Sequence, residues 1–142
     1  MVNNLSNIKS LLGHLNYIFL IFFMSYTSSN KLINLDSFET NLIKTTVFNI
    51  KFAREFAVII ISLEILIVLY LIYNRRKGLF VFAITIMIFT IYIIILRLMG
   101  LYEVCGCGGV LNGLKFQYHL GINIYLIISA LFSTQTFTNS TK

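Results

Sequence analysis

The stretch FAVIIISLEILIVLYLIY-NRRKG-LFVFAITIMIFTIYIIIL, residues 56–96, consists of two apolar runs joined by a short basic turn. Each run holds 18 residues (56–73 and 79–96). An α-helix of that length is about 27 Å long, close to the ~30 Å hydrocarbon thickness of a bilayer. Ile and Val favour strands, but these runs contain no turn residues and are far too long for a buried strand. The stretch therefore predicts two transmembrane helices joined as a hairpin.

The composition of the whole chain also points to a lipid environment. Of the 142 residues, 58% are hydrophobic and only 11% are charged, whereas soluble domains carry about a quarter charged residues. The net charge of +6 comes from cations spread along the chain rather than clustered in one basic stripe. We therefore expect contact with the lipid membrane and no nucleic-acid binding.

Two weaker apolar segments, residues 11–26 and 118–137, complete a prediction of four spans in a single domain, residues 1–142. His14 and Asn16 interrupt the first segment, and such polar residues are tolerated when they face other helices. The alternative for this segment is a cleaved signal peptide. We expect an uncleaved span, because no A-x-A-like cleavage site follows it.

An amphipathic helix is predicted between the first and second spans. Asp36 followed by Glu39 resembles a capping box that opens a helix, and apolar residues then recur at helical spacing among lysines. The helix would lie in the membrane interface or, alternatively, pack on the bundle as a loop helix. The expected fold class is an all-α membrane protein, a four-transmembrane-helix bundle with an interfacial amphipathic helix.

The turn at residues 74–78 predicts the orientation of the bundle. It carries three adjacent cations, and short basic loops stay in the cytoplasm. Both termini are then expected in the cytoplasm, and residues 97–116 at the extracytoplasmic face.

The chain has two cysteines, and both lie in that outer segment, within VCGCGG at residues 104–109. Outside the cytoplasm a disulfide is the default state of a thiol pair. A bridge between Cys105 and Cys107 requires a bent tripeptide, for which the glycines supply backbone freedom. Strained bridges are the more easily reduced ones, so we favour a redox-active pair. An inert bridge, free thiols and metal binding are the alternatives.

The segment Cys105-Gly106-Cys107-Gly108-Gly109, followed by His119 and Asn123, resembles the end of the MauE/DoxX-type redox-associated membrane proteins. In that family a CGC segment precedes a helix that begins H-x-x-x-N. Glu64, the phrase Lys31-Leu32-x-x-Leu35-Asp36-x-Phe38 and the four-span layout are also similar. The chain departs from the family pattern at Gly108, and it lacks the proline that often precedes the intramembrane Glu.

The resemblance implies a bacterial inner-membrane protein that handles electrons for periplasmic thiol chemistry. Its implied partner is a thioredoxin-like or disulfide-containing extracytoplasmic protein. The DoxX name is tied to quinone-linked oxidation, so a quinone is the implied membrane carrier, and Asn123 is a candidate for binding it.

Glu64 lies inside the second predicted span, where an ionised carboxylate is costly. We expect it to be protonated, paired or facing a polar cavity. It either handles the proton that accompanies electron transfer to a quinone or forms a helix–helix hydrogen bond to Thr85, Asn16 or Asn123.

His119 and Asn123 are four residues apart and are therefore expected on one face of the last helix. His119 follows the cysteines closely and is a candidate to stabilise a thiolate or carry its proton. The alternative is an interfacial histidine that is hydrogen-bonded to a loop carbonyl.

Other cofactor sites are not expected. A structural zinc site needs four ligands, and the chain offers two cysteines and two poorly placed histidines. No C-x-x-C-H motif for covalent haem occurs.

These residues predict a membrane thiol–disulfide oxidoreductase that uses Cys105, Cys107, His119 and Glu64 as its catalytic residues. It would exchange electrons between the thiol partner and the membrane carrier. The alternative is a non-catalytic scaffold or assembly factor in which a permanent Cys105–Cys107 bridge shapes the loop. A small transporter built around Glu64 is disfavoured, because no internal repeat is visible.

Overall fold

The computed structural model describes residues 2–45, 50–102 and 113–139, and the regular elements within these ranges are all helical. Four of the helices are long and apolar enough to cross a membrane. This confirms the prediction of an all-α, four-span protein. The helices are α1 (Val2–Ile33), α2 (Leu35–Lys44), α3 (Ala53–Tyr73), α4 (Arg75–Leu98) and α5 (Phe116–Asn139), with one turn of 3₁₀ helix at Ile50–Phe52 before α3.

The four long helices form a closed ring in which α1 contacts α3 and α5, and α4 contacts the same two helices from the other side. Leu20, Leu71, Phe82 and Leu126 are fully buried at the centre, one from each helix. Many other large apolar side chains point outward, and Phe22, for example, is 72% exposed. Such an outward apolar surface is suited to a membrane. Lipid tails are as apolar as these side chains, so the hydrophobic effect does not drive their burial there.

The amphipathic helix predicted after the first span is present as α2, but it begins differently. It starts at Leu35 with Asn34 at the N-cap, and no side chain caps it. The predicted capping box at Asp36 and Glu39 is therefore wrong, and Asp36 instead lies in the first turn, where its charge suits the helix dipole. Phe38 and Leu42 form the buried face of α2 against α3.

The turn between α3 and α4 is shorter than the sequence suggested, because Asn74 is the single non-helical residue in it. The three cations occupy the first turn of α4 instead of a loop. Positive charge is unfavourable at a helix N-terminus. The Asn74 side chain offsets part of this cost by accepting a hydrogen bond from the Lys77 backbone amide at 3.1 Å.

Tight contacts hold the turn end of the bundle together. A Cβ atom added to Gly78 would lie 2.6 Å from the Leu71 Cα atom, so α3 and α4 can approach this closely only because residue 78 is glycine. The Tyr17 hydroxyl of α1 donates a hydrogen bond to the Leu71 carbonyl at 2.8 Å. The Arg75 guanidinium lies over the rings of Tyr17 and Phe137. One cation thus links α4 to α1 and α5.

Candidate functional site

A cavity of about 350 Å³ lies between the five helices, in the half of the bundle where residues 103–112 connect α4 to α5. Most of its wall is apolar, and polar groups come from α1, α4 and α5. The lining residues are Phe23, Met24, Thr27, Lys31, Phe38, Leu42, Phe56, Ile60, Leu63, Ile86, Ile88, Phe89, Tyr92, His119 and Asn123. A mostly apolar pocket with a few converging polar groups is the usual form of a small-molecule site.

The cavity reaches the side of the bundle. Phe56, Leu63 and Ile88 belong to its wall and are also 41%, 53% and 58% exposed on the outer surface of α3 and α4. In a membrane this surface faces the acyl chains. Part of the cavity wall is therefore formed by side chains that the bundle exposes on this side.

One polar residue of the cavity wall, Lys31, belongs to a buried ion pair with Glu64, which lies behind the wall. The Lys31 ammonium donates a hydrogen bond to Glu64 Oε1, and the two side chains are only 6% and 1% exposed. The ammonium also lies 5.4 Å and 5.1 Å from the ring centroids of Phe38 and Phe89. Aromatic faces attract a cation, most strongly when it is shielded from water.

The expectation that Glu64 is paired is met, but the predicted partners were wrong. The Thr85 hydroxyl donates to the Val81 carbonyl, and the Asn123 amide donates to Thr90. Lys31 was not predicted as the partner of Glu64, because the first span was predicted to end at residue 26, whereas α1 continues to Ile33. Residues 27–33 contain no glycine or proline that would stop a helix. This absence is the sequence signal that could have predicted the extension of α1 to Lys31.

His119 is buried at the start of α5 and belongs to the cavity wall. Its Nδ1 atom lies 3.1 Å from the hydroxyl of Tyr102, and that hydroxyl donates its proton to the Leu114 carbonyl at 2.8 Å. Because the hydroxyl has one proton, His119 Nδ1 must be the donor to the tyrosine oxygen. Nε2 of the neutral ring is then a hydrogen-bond acceptor. The predicted alternative, a histidine bonded to a loop carbonyl, stays a prediction for residues 103–112, which lie outside the described residues. Nδ1 bonds the Tyr102 hydroxyl.

Asn123 lies one turn after His119 and faces the same cavity, as their spacing predicted. Its amide group donates a hydrogen bond to the Thr90 hydroxyl at 3.2 Å, which ties α5 to α4. The Thr90 hydroxyl in turn donates to the Ile86 carbonyl. Asn123 therefore holds two helices together at the cavity wall.

Cys105 and Cys107 lie outside the described residues, but both ends of their segment are defined. Helix α4 ends at Leu98. Gly100, just beyond it, has a positive φ of 73° and donates a backbone hydrogen bond to Arg97 in the last turn, an arrangement that stops a helix. The hydrogen bond from Tyr102 to Leu114 then joins the two sides of the segment at its base. His119 bonds the Tyr102 hydroxyl that makes this connection, and it also lines the cavity. It therefore lies between the base of the cysteine segment and the cavity.

Within residues 2–45, 50–102 and 113–139, no three His, Cys, Asp or Glu side chains are grouped closely enough to hold a metal ion.

Comparison with known proteins gives one match. The family model described as "Methylamine utilisation protein MauE" matches residues 9–135, which is most of the chain. No curated protein and no solved structure matches the chain significantly. The matched region contains the second and third spans, nearly all of the first and last spans, the ion pair, the residues that line the cavity and the cysteine segment. The chain is an integral membrane protein that belongs to the MauE family.

Proposed function

We propose that the protein exchanges electrons between an extracytoplasmic thioredoxin-like or disulfide-containing protein and a quinone in the membrane, through Cys105 and Cys107. Membership of the MauE family supports a membrane protein with a role in redox chemistry or methylamine utilisation. The observation that carries the finer proposal is the position of His119. It belongs to the cavity wall and also bonds the residue that closes the base of the cysteine segment.

The proposed reaction balances without another reactant. A dithiol on the partner reduces the Cys105–Cys107 disulfide by thiol–disulfide exchange and becomes oxidised itself. The Cys105–Cys107 dithiol then loses two electrons and two protons, and its S–S bond forms again. A quinone takes up these two electrons and two protons and leaves as the quinol. The same groups carry the reverse reaction, in which a quinol supplies the two electrons and two protons, if a disulfide on the partner is to be reduced.

Three features of the cavity support a quinone as the membrane carrier. Its volume of about 350 Å³ falls within the usual range for small-molecule pockets and suits one substituted ring. The exposed rim residues allow a long hydrocarbon tail to remain in the bilayer. Polar side chains at the inner wall, namely Lys31, His119 and Asn123, can donate hydrogen bonds to ring oxygens or accept them.

His119 would move protons in this reaction. In the neutral form fixed by Tyr102, its Nε2 atom can take a proton from a thiol and later give it to an oxygen in the cavity. Loss of that proton also leaves a thiolate, which is the nucleophile in thiol–disulfide exchange. Tyr102 would hold the imidazole in an orientation that allows proton transfer from the thiols to the cavity.

A redox titration in membranes tests the proposal. The thiols of the full-length chain in membranes are labelled with a maleimide across a graded series of dithiothreitol redox buffers. We expect reversible titration of both cysteines near the redox poise of the extracytoplasmic compartment, with labelling by a membrane-impermeant reagent added from outside. A pair that stays oxidised in strong reductant would instead support the scaffold role. Labelling from the cytosolic side alone would overturn the proposed orientation, in which both termini are cytoplasmic.

A further inference from the structure

The Lys31–Glu64 pair is incompletely hydrogen-bonded. An ammonium group has three N–H donors, and the acceptor recorded for it among the described residues is Glu64 Oε1; Phe38 and Phe89 present only ring faces. On the other side of the pair, Glu64 Oε2 is buried and has no hydrogen-bond partner within the described part of the chain. The pair therefore has hydrogen-bonding capacity left over inside an apolar region.

Such an arrangement is costly for a protein that needs the pair only for stability. Two charges lose their hydration when they are buried, and their attraction repays this cost only when further hydrogen bonds satisfy the remaining donors and acceptors. Apolar residues of similar volume would serve a purely structural role at least as well. The position of Lys31 in the cavity wall suggests instead that a bound molecule completes its hydrogen bonds.

We propose that the Lys31 ammonium, held in place by Glu64, donates a hydrogen bond to a ring oxygen of the molecule that occupies the cavity. This inference rests on the proposed function for the identity of that molecule, a quinone. Lys31 is then a binding residue for the head group. Glu64, which is not part of the cavity wall, is a positioning residue that keeps the ammonium charged and directed.

The charge of the pair determines which head groups fit. Among the described residues, Lys31 is the one formally charged side chain in the cavity wall, and Glu64 neutralises it. A carboxylate or phosphate group would bring an unbalanced negative charge into this low-dielectric region, which is strongly unfavourable. A neutral carbonyl or hydroxyl oxygen accepts the hydrogen bond without adding charge. The site therefore selects neutral oxygen-bearing rings over anionic lipids and fatty acids.

Binding can be measured without the thiol reaction. The full chain with Cys105→Ser and Cys107→Ser is placed in nanodiscs, and the affinity for decylubiquinone is measured by calorimetry. An alkylbenzene of matched chain length serves as the apolar control ligand. We expect the serine background to bind decylubiquinone, so that failure of the electron-transfer proposal leaves this result intact.

Two changes in the ion pair separate binding from folding. Lys31→Met alone leaves an unpaired buried carboxylate and can prevent folding. The double variant Lys31→Met/Glu64→Leu removes both charges together and should fold, because the whole ion pair is replaced by apolar side chains. We expect it to bind decylubiquinone about ten- to a hundredfold more weakly, which corresponds to one charge-assisted hydrogen bond. Its affinity for the alkylbenzene should not change.

Each other outcome would overturn the inference. If the folded double variant binds decylubiquinone as tightly as its parent, Lys31 does not anchor a head group and the pair is structural. If the serine background itself does not bind decylubiquinone, or prefers dodecyl phosphate, the selectivity for neutral oxygen-bearing rings is wrong. A matched Glu64→Gln variant keeps a hydrogen-bond acceptor but removes the charge that keeps the buried Lys31 ammonium protonated. It should therefore also bind decylubiquinone more weakly than its parent, and unchanged binding would show that Glu64 does not position Lys31.

Discussion

The two ends of the bundle are built differently. At the turn end, Gly78 packs against the Leu71 backbone and the Tyr17 hydroxyl bonds the Leu71 carbonyl. The end that carries the cysteine segment instead encloses a cavity, a buried ion pair and a buried histidine. Close packing at one end gives stability to the whole chain. The polar groups at the other end cost stability, and this difference indicates where the function resides.

The largest effect is expected from the cysteines themselves. Cys105→Ser should abolish thiol-dependent reduction of decylubiquinone, because neither a disulfide nor the exchange reaction is then possible. The stability should hardly change, since closing so short a loop restricts the unfolded chain little. Quinone reduction is followed by absorbance with a dithiol as electron donor, and Cys107→Ser is the matched variant. Residual activity in both variants would contradict the proposed role of the pair.

The ion pair should respond unequally to single and double substitution. Lys31→Met should lower the free energy of unfolding by about 3–5 kcal/mol, because Glu64 remains charged and buried without its partner. Lys31→Met/Glu64→Leu should recover most of that loss. Unfolding in mixed detergent micelles, monitored by circular dichroism, measures both values. Equal loss in the two variants would show that the pair itself stabilises the bundle.

At the turn end, a larger side chain should lower the stability of the bundle without changing quinone binding. Gly78→Ala places a Cβ atom against the Leu71 backbone, and we expect a loss of about 1–3 kcal/mol from overpacking. Gly121→Ala is the control, since nothing lies within 4 Å of a Cβ atom there. Decylubiquinone affinity, measured in the folded fraction by calorimetry, should be unchanged. A fall in affinity with Gly78→Ala would show that the two ends are coupled.

Tyr102→Phe is expected to have a modest effect on both stability and reaction rate. Removing the hydroxyl leaves the Leu114 carbonyl and the His119 Nδ1 proton without their partner, at a cost of about 1–3 kcal/mol. Thiol-to-quinone transfer should slow about tenfold, because the imidazole loses its orientation. Quinone affinity should stay the same, so single-turnover rates and binding are measured separately. Unchanged rates would remove Tyr102 and His119 from the proton route.

Much of the fold follows from sequence alone, because apolar runs of spanning length at residues 56–73 and 79–96 leave few alternatives to two transmembrane helices. The shared cavity face of His119 and Asn123 also follows, since helical spacing fixes which residues are neighbours. These features depend on local periodicity, which a single sequence records.

The partner of Glu64 could not be found in the same way. A carboxylate inside a span requires a partner, but which one depends on how far α1 extends and how it aligns with α3. Lys31 fell outside the predicted spans because the first apolar segment was predicted to end at residue 26, whereas α1 continues to Ile33. The relative position of α1 and α3 is set by packing across the whole bundle. The periodicity of apolar residues in one helix does not show it.

The central claim is that the cysteine pair and the cavity belong to one redox site. Dithiol-reduced protein, freed of excess reductant, is mixed anaerobically in nanodiscs with one equivalent of decylubiquinone, and thiols and quinol are counted together. We predict that one quinol forms for every two thiols lost, and that Lys31→Met/Glu64→Leu forms quinol more slowly at the same quinone concentration. Quinone that stays oxidised beside fully accessible, reduced thiols would contradict the account.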